Sequence, residues 1–262
     1  MKNKEQAFYI IGAIVLFAVL YFGFDAKPSS QKALEKSRAI NTQEYDITTY
    51  QAEAKKSLQK DEIEYLDMLE AQMAHAGQDT ARINTLKQLS GYWFKLKNPV
   101  MAGLYARQIA ESEKTAASWS ITGTTFASGL QMELDDKLKL FARNQALDAF
   151  EKAISLEPDV IDHRVNQALC YIEVPEAGEP MKGIQMLAGL ATSYPESAAP
   201  PYQLARLAVK TGQYERAQTR IEQALNLEPK DQRIACLAVD IYTALNKPIE
   251  ANKAAEVCGA PK

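Results

Sequence analysis

Residues 7–24, AFYIIGAIVLFAVLYFGF, are apolar on every side and carry no charge. Beyond Asp25 the pattern changes, and apolar residues recur three and four apart among polar ones. Ile63, Leu66, Leu69 and Met73 form one such stripe, Leu86, Leu89 and Trp93 a second, and Ala102, Ala106 and Ile109 a third. Comparable stripes continue to Ala251 and Ala255, with few clusters of β-branched residues between them. The expected fold class is therefore all-α: a run of amphipathic helices behind one apolar segment.

At about 1.5 Å per residue, residues 7–24 make roughly 27 Å of helix, enough to cross most of a hydrocarbon core. Eleven of them are Leu, Ile, Val or Phe, so membrane insertion is expected. Lys2 and Lys4 also resemble the basic start of a cleaved leader, but cleavage requires small residues after the apolar run. Tyr21, Phe22, Phe24 and Asp25 are bulky or charged, and an uncleaved single-pass transmembrane anchor is expected instead. Lys2 and Lys4 favour an inside N-terminus, although Lys27, Lys32, Lys36 and Arg38 follow on the other side. A short tail before a long C-terminal part is the signal-anchor layout, which in a bacterium puts that part in the periplasm. The expected organisation is a tail at 1–6, an anchor at 7–24, a polar linker at 25–41, a helix pair at 42–78 broken near Gln59, and a repeat region at 79–262.

The repeat is visible in the residues. ALDAFEKAISLEPD at 146–159 returns as AQTRIEQALNLEPKD at 217–231, with Ala146/Ala217, Phe150/Ile221, Ala153/Ala224, Leu156/Leu227 and Pro158/Pro229 in step. Pro195 falls between, 37 residues after Pro158 and 34 before Pro229. Three helix pairs thus end on proline at a period near 34. Trp119-x2-Thr122-Gly123-x2-Phe126, followed by Ala146, Phe150, Ala153 and Pro158, resembles the tetratricopeptide repeat family. The stretch GLQMELDDKLKLF makes this repeat about eleven residues too long, which predicts lengthened helices or an inserted turn. Pro99, Pro180 and Pro248 each stand three residues before a small residue, Ala102, Gly183 or Ala251, as expected of a first helical turn leading into a close helix contact.

The resemblance spans roughly residues 80–258 as five repeats, two of them irregular. It implies a solenoid whose first helices line a concave, protein-binding surface. The family's inward positions fall on Lys87, Phe94, Lys95, His163, Gln167, Cys170, Tyr171, Tyr202, Arg206, Lys210, Arg233, Cys236 and Asp240. Aromatic and basic side chains there suit an extended segment bearing carboxylates. The Lys and Asn clamp of chaperone-binding members is not apparent. What remains is similar to bacterial membrane-anchored repeat proteins, including an ancillary periplasmic subunit of the Sec translocon. The expectation is an inner-membrane scaffold or adaptor for protein partners in envelope protein assembly or export, the alternative being a self-associating structural oligomer.

Composition narrows the classes further. The formal net charge is −3, and Lys2, Lys4 and Glu5 are the only charges before Asp25, so the remainder stays mildly acidic and lacks the basic footprint of a nucleic-acid binder. Only His75 and His163 supply imidazole, and no metal, phosphate-loop or nucleophile-elbow motif is present. His163 and Cys170 are seven residues apart, a rise of about 10 Å, too far for imidazole to activate the thiol. Asp135-Asp136 reads as an inter-helix turn, not a metal site. No catalysis, cofactor or metal is expected. Cys170, Cys236 and Cys258 are odd in number and widely spaced, which argues against a disulfide framework.

Overall fold

The computed structural model describes residues 46–75 and 80–259. The expected tail, anchor and linker lie outside these, and among the described residues no helix is long and apolar enough to cross a membrane. Among the described residues twelve α-helices follow one another: α1 (Ile47–Lys56), α2 (Lys60–His75), α3 (Thr80–Lys95), α4 (Pro99–Glu113), α5 (Ala116–Ser128), α6 (Asp136–Leu156), α7 (Ile161–Glu173), α8 (Lys182–Ser193), α9 (Ala199–Lys210), α10 (Tyr214–Leu227), α11 (Gln232–Ala244) and α12 (Pro248–Cys258). Gln59 stands in the break between α1 and α2.

Local chemistry sets the boundaries. Asn98 caps α4 through its side chain, and Pro99 occupies the first turn, where a missing N–H costs nothing. Thr115 and Ser118 form a reciprocal capping box at the start of α5. Asp135 and Asp231 each accept two backbone N–H groups at the starts of α6 and α11. Pro158, Pro195 and Pro229 each stand two residues beyond a helix end, so the proline period marks where α6, α8 and α10 stop. Pro180 departs from the expectation. It lies two residues ahead of α8, within the 174–181 connection instead of the first helical turn.

From α3 onward the helices pack as successive pairs, α3 with α4 through α11 with α12, and each second helix also packs on the first helix of the next pair. Contacts of α5 with α7, α7 with α9 and α9 with α11 put the first helices side by side. The surplus length in the second pair is absorbed twice, by a 3-10 turn at Gly129–Gln131 and by the 21-residue α6.

The core is a chain of local clusters. Leu66, Leu69, Leu86, Leu89 and Trp93 pack with α4, Phe126 and Phe150 centre the next cluster, and Ala217, Ile221, Ala224 and Ile241 centre the last. Small residues allow these approaches. A Cβ at Gly123 would stand 2.6 Å from the Phe150 ring, and one at Gly183 only 2.4 Å from the Ala168 carbonyl oxygen.

The cysteine expectation is corrected here. Cys236 of α11 and Cys258 of α12 form a disulfide, leaving Cys170 as the buried free thiol. Spacing of 22 residues looked unpaired in sequence, but an antiparallel hairpin returns the chain to within 4.8 Å between Cα atoms.

Two glycines of one helix separate packing from propensity. Gly183→Ala should cost about 1–3 kcal/mol, because backbone atoms must yield to the methyl. Gly189→Ala, where nothing lies within 4 Å of the new Cβ, should gain about 0.5–1 kcal/mol. Thermal melts of both variants check this, and a loss at Gly189 as large as at Gly183 would contradict it. Ala224→Asp, a carboxylate at a fully buried position, should cost about 3–5 kcal/mol in the same assay.

Candidate protein-binding groove

The side-by-side first helices, with the 3-10 turn and Phe150 of α6, line an open cavity of ≈560 Å³. Its floor is apolar and comes from Ala127, Leu130, Leu169, Cys170 and Leu207, with Phe150 behind them. Polar groups ring the mouth. Lys210 Nζ lies 3.8 Å from Glu173 Oε2, Gln131 donates to Glu173 Oε1 at 3.4 Å, and Arg206 donates to Gln203 at 2.9 Å. On the α5 side, the hydroxyls of Thr124 and Ser128 donate back to helix carbonyls, so their lone pairs remain as acceptors. An apolar floor within a polar rim can seat an apolar side chain of a partner while orienting its backbone.

Of the residues expected to face inward, the structure brings Arg206 and Lys210 to this cavity, together with Cys170. The others go elsewhere. His163 is 5% exposed, and neither ring nitrogen has a hydrogen-bond partner among the described residues. Gln167 lines a different hollow with Ile154, Met186 and Leu190. Tyr171 is half-buried, with Lys182 Nζ 4.2 Å and the Arg143 guanidinium 6.0 Å from its ring centre. Tyr202 packs against the terminal core cluster, so it is part of the framework. Arg233 is held by Asp231, the cap of its own helix, at 2.7 Å. Lys87 pairs with Glu113 at 2.8 Å, Phe94 is 52% exposed on α3, and Lys95 lies 5.7 Å above the Tyr92 ring.

Two features escaped sequence reasoning. Asn166, not Gln167, faces the cavity, and one residue along a helix is a rotation of about 100°. The 124–131 wall was missed because the stretch from Gly129 reads as an insertion, although the apolar Ala127 and Leu130 three apart are a usable signal.

Buried chemistry beside the groove is quiet. Desolvation pushes the Cys170 thiol up to about 12, against a smaller opposing effect of Arg143, so it stays protonated at neutral pH. Burial lowers the pKa of Arg143, which donates to the Val174 carbonyl at 3.1 Å and to Asn144. Among the described residues no group of three or more His, Cys, Asp or Glu is placed to hold a metal ion.

Residues 176–246 match the tetratricopeptide repeat family. The matched repeats run from the α7–α8 connection to the turn after α11. No curated protein matches the sequence. Among solved structures, MamA from Desulfovibrio magneticus RS-1 is 15% identical over 68% of this chain and 93% of its own, with a TM-score of 0.40. PilW, described as a widely conserved type IV pilus biogenesis factor, is 14% identical over 88% of this chain and 92% of its own, with a TM-score of 0.44. At those TM-scores the superpositions do not bear on the reading of the groove.

Proposed function

We propose that the protein is a membrane-anchored, non-catalytic scaffold that holds a segment of a partner protein in the groove formed by α5, α7 and α9. The observation that carries this is the cavity itself, an apolar floor with a polar rim at the junction of three first helices. Arg206 is the rim cation suited to a carboxylate on the partner, since the side chain it donates to is the neutral Gln203. Residues 7–24 supply the anchor on composition, and assembly or export of envelope proteins is the setting that fits an anchored scaffold. The Cys236–Cys258 bond supports placing the helical part in an oxidising compartment, in a bacterium the periplasm.

A photo-crosslinking amino acid at Gln203 of the full-length protein, in its own membrane, tests the groove. Crosslinks to a distinct protein are expected, and Arg206→Ala with Lys210→Ala should reduce their yield about tenfold or more while helicity and melting stay near wild type. Equal yield from the double variant would remove the groove from the binding surface. Crosslinks exclusively to a second copy would replace the scaffold with the self-associating oligomer.

Topology is tested separately. A reporter active only in the periplasm, fused after Lys262, should be active, with Lys2 and Lys4 on the cytoplasmic side. Activity from a cytoplasm-only reporter would reverse the orientation.

A further inference from the structure

The last helix is held by unusual means. α12 has 11 residues, and its buried side chains are Ala251 and Ala254. The second helix before it, α10, buries Ala217, Ile221 and Ala224 completely. Where α12 meets α10 and α11, a hollow of ≈330 Å³ is lined by Glu222, Leu225, Tyr242, Glu250, Ala254 and Val257. A helix this short does not persist in water on its own propensity. Two alanine methyls, with Ala255 and Val257 half-buried, add modest apolar burial to hold it against α11.

The ends of α12 are fixed instead. At its start, Lys247 Nζ donates to Gln218 Oε1 of α10 at 2.9 Å. At its finish, Cys258, the final helical residue, is bonded to Cys236 of α11. Both cysteines are partly exposed, so an external thiol can reach the bond.

The geometry points to a redox latch: the Cys236–Cys258 disulfide keeps α12 on the solenoid, and its reduction by a dithiol releases α12 while the preceding helix pairs stay folded. The reductant's thiolate attacks one sulfur to form a mixed disulfide, and its second thiol then displaces the protein. Two electrons and two protons pass to Cys236 and Cys258, and the reductant departs as a disulfide. Release uncovers the α11 face carrying Ala238 and Tyr242, which share a core cluster with Ala251 and Ala254. This latch is independent of what the groove binds.

Hydrogen exchange on the full-length protein, oxidised and then reduced with dithiothreitol, tests it. Alkylation of both thiols verifies reduction. Peptides from 248–258 should exchange about 100-fold faster after reduction, the scale of closing a loop of roughly this length. Peptides from α3 to α10 should be unchanged. Cys236→Ser with Cys258→Ser should give the reduced pattern without reductant. The latch is overturned if protection of 248–258 changes by less than about 2-fold on complete reduction. It is also overturned if protection collapses along the whole chain, or if both thiols are already free in the unreduced protein.

Discussion

A helix pair of this kind cannot bury its apolar residues alone, and the neighbouring pair must cover the face it leaves open. Phe126 shows how tight that cover is, its ring seated against Gly103 of α4 in the pair before, and within the pair the Phe150 ring is seated as closely against Gly123 of α5. Both contacts join consecutive helices, so each helix is positioned chiefly by its immediate neighbours. The cavity follows from this. Three first helices are brought together by their partners' packing, and the side chains that face none of those partners, such as Asn166 and Arg206, are left to line a shared hollow.

The same constraint makes the ends of the stack a problem. At the N-terminal end, Tyr50 of α1 donates to the Oδ1 of Asn98, which also accepts the Met101 N–H as the cap of α4. Lys55 pairs with Glu70 at 2.6 Å, and Glu70 accepts from the Tyr105 hydroxyl at 3.0 Å. Burial and the adjacent Glu70 carboxylate both hold the Tyr105 phenol well above its usual range, so it remains a donor at any ordinary pH. Polar contacts thus tie the first helices to the stack alongside Leu66 and Leu69. At the other end a covalent bond serves where burial is thin.

Much of this architecture was legible in the sequence because its signals are local. Proline after a helix, glycine or alanine at a close contact, and apolar stripes three and four apart depend on a few neighbouring residues. The groove was less legible because facing is cumulative. Cys170 was assigned inward and lines the cavity, but Gln167 is one residue removed from Asn166, and that single step turns a side chain out of the cavity. Tyr202 shows a different limit, since an aromatic at an inward position served the core instead. The disulfide was hidden for a third reason, that pairing depends on a chain reversal and not on spacing.

The irregular connection at 174–181 joins these threads. Arg143 is 4% exposed on α6 and anchors the connection through the Val174 carbonyl, while Lys182 reaches back to Glu176 at 2.5 Å. Both cations also flank Tyr171, drawing its ring toward the connection. With Tyr171 engaged there, α7 presents Leu169, Cys170 and Glu173 to the cavity, and Glu173 is close to both Gln131 and Lys210. The connection therefore helps set the chemistry of the groove as well as joining two helices. Its charged contacts need not add net stability, because burying a guanidinium costs about as much as its pairing returns. What they contribute is position: Arg143 holds the Val174 carbonyl and Lys182 holds Glu176 just beyond the end of α7 that carries Glu173 to the rim.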